Sequence, residues 1–325
     1  MAETAPWITY RPAIKVLDCT VRDGGLINDS HFSDDFVKAV YETCVESGVD
    51  YMELGYKNSK SVFPKNKFGP WRHCDEEDLR RVVGENDTEL KLVAMADAGG
   101  KSDWQKEILP KSESVLDMIR VACYVHQISE AVEMINHCHK LGYETSCNLM
   151  AISTAQDAEI EQALEVAANS PVGTVVIVDS FGALYSEQVR NLMQQYKKVL
   201  DGTGKEIGLH MHNNQQLAFS NTIEGIIQGA NRIDATVQGL GRGAGNCPME
   251  LLLGFLRNPK YRIRPVWNLV ETQFGKLRED IEWGPYPQYI MTGQYNQHPR
   301  SAMAVRTDDR KEKFTDFYDR CVSDI

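Results

Sequence analysis

Three short stretches carry residue types that could do chemistry together. The first is Leu209-His210-Met211-His212-Asn213-Asn214. Residues two apart on a strand project from one face, so an extended chain here points His210 and His212 the same way. Two imidazoles so placed serve either as a pair of metal ligands or as hydrogen-bonded core histidines. The second stretch is Asp18-Cys19-Thr20-Val21-Arg22-Asp23-Gly24-Gly25, which sets a carboxylate, Asp23, beside a guanidinium, Arg22. One aspartate added to two histidines makes a ligand set with open positions, suited to Mg, Mn, Co, Fe or Zn rather than to a closed structural zinc. Arg22 would supply a fixed cation for a developing oxyanion. Glu53 lies in the apolar run Tyr51-Met52-Glu53-Leu54-Gly55. A carboxylate is costly to bury without a partner, and Arg22 is the obvious one. The third stretch is Gly239-Leu240-Gly241-Arg242-Gly243-Ala244-Gly245-Asn246-Cys247-Pro248. Its glycines permit positive φ and close backbone approach. Such a loop either binds an anion at the N-terminus of the next helix or is merely tight, and it offers Asn246 as a further oxygen ligand.

These residues need a scaffold, and the alternation of the chain describes one. Apolar, often β-branched runs fall at 14–19, 50–56, 90–96, 118–123, 143–150, 174–179, 207–212 and 232–237. Between them lie stretches with helical spacing, clearest at 34–47, 128–141, 155–168, 187–200 and 215–229, shorter at 75–83 and weakest around 101–109. Strands alternating with helices pair in parallel, because parallel neighbours need long crossovers. The even spacing predicts a (β/α)8 TIM barrel over 1–264 rather than an open doubly wound sheet. Asp23, Asn148, Asp179, His210 and His212 sit at or just past the C-terminal ends of their runs, where such barrels build active sites. Arg22-Asp23-Gly24-Gly25 is also not the glycine-rich first turn of a dinucleotide fold. Residues 249–257 read as the closing helix, and 265–325 as a mostly helical C-terminal extension packing on or over the mouth.

The chain has 325 residues with a formal net charge of −11, which argues against nucleic acid or an anionic membrane as the partner. It also means that an anionic substrate requires local positive charge. Eight cysteines occur without any C-x-x-C pair, so buried reduced thiols in a cytoplasmic protein are expected. Residues 1–11 lack the pattern of a signal peptide, and no run approaches the roughly 18 apolar residues of a membrane span.

In this order and at these strand positions, the motifs resemble the DRE-TIM metallolyase superfamily. Its members include 3-hydroxy-3-methylglutaryl-CoA lyase, isopropylmalate and homocitrate synthases and 4-hydroxy-2-oxovalerate aldolase. The likeness runs from Lys15 to Leu256 and rests on Arg22-Asp23-Gly24, Glu53, His210 with His212, and Gly241 to Asn246. It implies one divalent metal ion (Mn, Mg, Co or Zn) on Asp23, His210 and His212, with Asn246 as an additional ligand. Arg22 would stabilise an enolate, and Glu53 would hold Arg22. Val178-Asp179-Ser180-Phe181-Gly182-Ala183-Leu184 and the 239–248 loop look most like the aldolase branch.

Departures from that branch sharpen the reading. Leu26 occupies the position of its histidine base, and the Glu-Gln that follows R-D-G in the synthases is replaced by Gly25-Leu26. Cys247 follows Asn246 rather than preceding it as in the acyl-CoA lyases. The chain is closest to aldolase-like proteins with Arg-Asp-Gly-Gly and a late Asn-x-His-Pro, here Asn296-Gln297-His298-Pro299. The expected activity is aldol or retro-aldol chemistry on a 2-oxo acid. Claisen-type condensation of an acyl-CoA with a 2-oxo acid and a non-catalytic metal-binding relative are the alternatives. His298, Tyr295 and His31 are the candidates for the base that Leu26 is not. Asn148, Ser180, Arg242 and Gly243 are candidates for binding substrate, and Lys57, Arg72 and Arg242 could balance its carboxylate or phosphate. The expected partners are a small 2-oxo acid or acyl substrate and further copies of the chain, in a homodimer or larger.

Overall fold

The computed structural model describes residues 11–323; most of the N-terminal stretch read above for a targeting signal lies outside them. Eight parallel strands close into a barrel in sequence order. They are β1 Lys15–Asp18, β2 Tyr51–Tyr56, β3 Lys91–Asp97, β4 Met118–Cys123, β5 Glu144–Leu149, β6 Thr174–Asp179, β7 Glu206–Met211 and β8 Arg232–Ala235. β1 closes the ring on β8 with Lys15 opposite Arg232 and Asp18 opposite Ala235. Each strand matches an expected run to within about two residues, because strands covered on both faces read as near-continuous apolar runs. Helices Asp34–Ser47, Ile128–Lys140, Asp157–Ala168, Ser186–Leu200 and Ala218–Gln228 form the outer layer. Around 101–109 only a single turn, Trp104–Glu107, is helical.

Alternation decides what faces inward. Val16, Met52, Leu54, Ile119, Leu209, Met211 and Ile233 belong to the large apolar layer between strands and helices. Their neighbours of opposite parity, Leu17, Glu53, Arg120, His210 and Asp234, therefore point into the barrel. At the N-terminal ends of the strands the interior is lined by charges that satisfy one another. Lys91 Nζ lies 2.9 Å from Glu144, Arg232 Nη2 3.1 Å from Glu144, and Lys15 Nζ 3.6 Å from Glu206. Arg232 also pairs with Glu206 through Nε.

The segment beyond β8 divides in two. Val266, Leu269 and Phe274, on the helical stretch that starts with Arg264–Leu269, join the main core. Helices Pro287–Gln294, Arg300–Arg306 and Phe314–Ser323 build a second small core from Tyr289, Ala302, Val305, Phe317 and Cys321. Ala244 from the loop after β8 packs into that core, so these helices sit against the glycine-rich loop at the barrel mouth. No disulfide joins any of the eight cysteines, and all are buried. Among the described residues no helix is long and apolar enough to cross a membrane.

Candidate metal centre and active site

β1 leads directly into a short helix, Thr20–Gly24, rather than into an open turn. That helix tips Arg22 and Asp23 inward, where both are buried. Asp23, His210 and His212 bring ligand atoms within 4.8 Å of one another. Asp23 Oδ2 is 3.4 Å from His210 Nε2 and 3.8 Å from His212 Nε2. Each imidazole is oriented by its other nitrogen. His210 Nδ1 lies 3.0 Å from Asp234 Oδ2, and His212 Nδ1 lies 3.2 Å from the Gly245 carbonyl. Donation of the Nδ1–H to those acceptors leaves both Nε2 lone pairs facing Asp23, the tautomer that metal-binding histidines adopt. His210 Nε2 is buried with no hydrogen-bond partner, and so is Asn246 Oδ1. Most buried polar atoms in folded proteins are paired, so two orphaned acceptors converging beside a carboxylate fit a cation site. The donor set fits a divalent metal ion: two imidazoles, one carboxylate and one amide oxygen.

Protonation of Asp23 and His212 agrees with that fit, whereas at His210 burial is outweighed by the carboxylates of Asp23 and Asp234, which raise the imidazole above its ordinary value while no cation is bound. Burial opposes the Asp23 charge, but Arg22, His212 and His210 together hold its carboxyl well below the usual range. Burial, outweighing Asp23, pushes His212 well below its ordinary value and keeps it neutral. A second cluster, Cys19, His210 and Asp234, is equally close but is spoken for. Asp234 pairs with Arg120 at 2.6 Å, and burial drives the Cys19 thiol far up, so that it stays protonated and donates to the Ala235 carbonyl.

Beneath the ligands runs an ordered chain of charges. Arg22 Nη1 donates to Asp23 at 2.7 Å and Arg22 Nε to Glu53 at 2.7 Å. Glu53 accepts again from Arg120 Nη1 at 3.1 Å, and Arg120 Nη2 reaches Asp234 at 2.6 Å. Asp234 returns to His210, so the chain closes around the ligand group. Glu53 meets no substrate space; it positions Arg22. Arg120 and Asp234 are missing from the sequence reading although the signal existed, since each is a charge inside an apolar strand like Glu53.

The glycine-rich loop wraps this centre instead of presenting an anion site at the following helix. The first amide of helix Met249–Leu256 donates to the Thr236 carbonyl, whereas Arg242 N donates to Asp23 Oδ1 at 2.9 Å. A Cβ at Gly241 would collide with Asn246 and Asp23, and Gly245 has φ +83°. Both positions therefore require glycine.

A cavity of about 160 Å3 opens above the ligands. Arg22, Asp23, His210 and His212 form its floor, and Asn148, Ser180, Arg242 and His298 line its wall. Asn148 Oδ1 accepts from Ser146, Ser180 Oγ accepts from the Ala151 amide, and the Ser180 carbonyl accepts from Arg242 Nη2 at 2.5 Å. Arg72, Asp97, Lys101 and Arg300 line the cavity as well. Of these, Asp97 is a rim residue at the end of β3, one position past the expected run.

Four candidates lie elsewhere. Tyr295 rests against Tyr318, ring centroids 5.9 Å apart, outside the cavity lining. Gly243 sits beneath the Tyr289 ring, its carbonyl accepting from Gly284. His31 is exposed and contacts the Lys67 carbonyl. Lys57, buried, donates to the Cys74 carbonyl and does not reach the cavity. Asp179 turns its carboxylate to the Ala183 and Leu184 amides.

A closed (β/α)8 barrel with a two-histidine, one-aspartate centre at the strand ends defines a metallolyase scaffold. Residues 13–273 match the profile of the HMGL-like family, and the chain belongs to it, within the DRE-TIM metallolyase superfamily. It is 29% identical over 251 residues to an oxaloacetate decarboxylase of Mycobacterium tuberculosis, covering 77% of this chain and 71% of that protein. It is 26% identical over 289 residues to a 4-hydroxy-2-oxovalerate aldolase of Bacillus cereus, covering 86% of this chain and 80% of that protein. Among solved structures, the N-terminal domain of a protein described as an aldolase, from Bacteroides vulgatus, superposes with a TM-score of 0.77 at 28% identity, over 93% of this chain and all (100%) of that one. Hydroxymethylglutaryl-CoA lyase from Pseudomonas aeruginosa superposes with a TM-score of 0.67 at 14% identity, over 82% of this chain and 94% of that one, a likeness of fold.

Proposed function

We propose that this protein is a divalent-metal-dependent lyase that makes or breaks a carbon–carbon bond adjacent to a 2-oxo acid by aldol chemistry. The observation that carries the reading is the convergence of the Asp23 carboxylate with the unpartnered His210 Nε2 and the neutral His212. Asp23, His210 and His212 would hold the metal, with Asn246 Oδ1 as a further donor. When bound there, such an ion would supply Lewis-acid polarisation of the 2-oxo carbonyl.

In the cleavage direction the substrate hydroxyl loses its proton, the bond beta to the 2-oxo carbonyl breaks, and its electron pair forms an enolate. Arg22 stands ready for that negative oxygen, held on one side by Glu53 and on the other by Asp23. Its buried, doubly anchored guanidinium is a preorganised charge, the kind that lowers a barrier without reorganising. Two groups in the cavity wall could handle protons. His298 is half-buried, and burial with the nearby Arg242, Arg300 and Lys101 pushes it down to about 4, so it is neutral at neutral pH. Its Nδ1 accepts from the Arg300 amide at 3.1 Å, which assigns the ring proton to Nε2 and makes that atom a donor toward a substrate oxygen. Asp97, hydrogen-bonded to Asn58 at 3.0 Å, has lone pairs left to take the hydroxyl proton.

The test is metal content with a product screen. Purified protein should carry about one ion per chain, lost in His210→Ala, and should release pyruvate from a 4-hydroxy-2-oxo acid. Oxaloacetate, which yields the same enolate by losing carbon dioxide, and acetyl-CoA with a 2-oxo acid complete the panel. Free coenzyme A would move the reaction to condensation. Failure to hold metal under any loading condition would sink the reading.

A further inference from the structure

The cavity carries more positive charge than one 2-oxo acid can use. Five cations line it, Arg22, Arg72, Lys101, Arg242 and Arg300, against two carboxylates, Asp23 and Asp97, in a chain whose net charge is −11. Arg22 is committed to Asp23 and Glu53. Among the described residues the other four form no ion pair within 4.0 Å. Arg72 is the telling one. It is only 9% exposed, and its Nε is buried without a hydrogen-bond partner. Its guanidinium is fixed by three rings, 4.1 Å from the Phe63 centroid, 4.5 Å from Tyr56 and 5.5 Å from Phe68. A buried, uncompensated cation is expensive, and aromatic faces offset only part of that cost. Arg242 repeats the pattern, with Nε buried and unpartnered while Nη2 reaches the Ser180 carbonyl.

The placement gives the direction. Arg22 lies 5.9 Å from the Tyr56 centroid, so Arg72 stands one aromatic ring away from the cation at the metal end. Lys101 and Arg300 enter the same cavity from the β3 loop and the C-terminal segment. We propose that the substrate is two-ended: a short-chain 2-oxo acid whose far end carries a second anionic group, a carboxylate or a phosphate, held by Arg72, Lys101 and Arg300. The 2-oxo end of this assignment rests on the lyase reading above. The anionic far end rests on the unpaired cations alone. Guanidinium groups favour both oxyanions through bidentate hydrogen bonds, so the two sources share one chemistry.

The experiment is calorimetric titration of the manganese-loaded full chain at constant ionic strength. The probes are 2-oxopentanoate, 2-oxoglutarate and 2-oxo-5-phosphonopentanoate, which differ in the charge at the far end. At least one charged probe should bind tenfold or more tighter than 2-oxopentanoate, and which of the two gains more assigns carboxylate or phosphate. That advantage should shrink at least threefold in Arg72→Met. It should shrink equally in the double variant Lys101→Gln/Arg300→Gln, whose mouth positions spare the core if Arg72→Met folds poorly. An advantage below tenfold in the parent, or one that survives in the double variant, overturns the proposal. Inorganic phosphate, titrated separately, separates the two readings. If the 2-oxo probes fail to bind while phosphate binds and depends on Arg72, the anion clamp stands and the lyase reading falls. If neither class binds, both fall.

Discussion

The two ends of this barrel hold similar numbers of charges and treat them oppositely. At the N-terminal end Lys15, Lys91 and Arg232 are matched by Glu144 and Glu206, and Tyr51 adds its hydroxyl to Glu144 at 3.0 Å. At the C-terminal end Arg72, Lys101, Arg242 and Arg300 have no carboxylate partner among the described residues, and His210 Nε2 and Asn246 Oδ1 have no donor. The first arrangement is complete without anything else bound, so it plugs the barrel and contributes to stability. The second leaves cations and acceptors unmatched, and on that remainder rest the proposed metal at the ligands and the proposed anion at the wall. A charged cluster is thus read by its remainder: what its members leave unsatisfied states what they are for.

Between the ends lies the closed chain Asp23–Arg22–Glu53–Arg120–Asp234–His210, and breaking it should give the largest effect. Arg120→Met leaves Glu53 and Asp234 buried with a missing countercharge, so unfolding in urea should show a loss of about 3–5 kcal/mol. A loss near zero would mean that water replaces the guanidinium and that the chain of charges is not dry. Next comes Arg22→Lys. A lysine keeps the charge but cannot bridge Glu53 and Asp23 as a rigid fork. Turnover should fall about 10²–10³-fold, the range for removing a preorganised oxyanion donor, with metal content unchanged. If metal is lost as well, Arg22 serves chiefly to orient Asp23.

How much of this was legible depends on which periodicity carries the information. The strands were legible because burial on both faces writes β-branched runs, as in Thr174–Asp179, and H-x-H spacing places His210 and His212 on one face whatever surrounds them. The helical turn at Thr20–Gly24 was not, because a five-residue helix has no period to read. Arg120 and Asp234 were readable by the argument applied to Glu53, a charge stranded in an apolar run. The cavity lining was legible in part: Asn148, Ser180, Arg72, Arg242 and His298 were named from the sequence, whereas Asp97, Lys101 and Arg300 were not. Lys101 and Arg300 arrive from two separate segments, and connecting segments carry no repeating pattern that announces where they converge. Tyr295 shows the opposite error: three residues from His298, it turns to Tyr318 instead.

A smaller effect tests the field at the mouth through pH. His298 is held at about 4 in the folded protein against an ordinary 6.5, first by burial and then by Arg242, Arg300 and Lys101. Below pH 6.5 the unfolded chain takes up a proton that the folded chain refuses. Stability should therefore fall between pH 6.5 and 4 and level off below that. The ring is partly exposed, so screening limits the contribution to about 1 kcal/mol. His298→Gln should remove this slope from the pH dependence of thermal unfolding. An unchanged slope would mean that the mouth cations are screened too well to form one field.

The smallest effect is the one that distinguishes the two ends by sign. Lys91 at the N-terminal end sits 2.9 Å from Glu144 with its side chain 48% exposed, so Lys91→Gln should cost no more than about 0.5 kcal/mol. Lys101→Gln and Arg300→Gln at the other end remove cations whose charged neighbours are mainly other cations. Each should leave the ligand-free protein unchanged or raise its stability by about 0.2–0.5 kcal/mol, read as the urea midpoint at unchanged slope. With a charged-tail 2-oxo acid present, the order should invert, because ligand binding to the folded state stabilises the parent more than the variants. Equal losses at both ends without ligand would show that the mouth cations already have partners in solution. Opposite signs, reversed by ligand, are what a site built for an anionic ligand requires and what a structural charge cluster cannot produce.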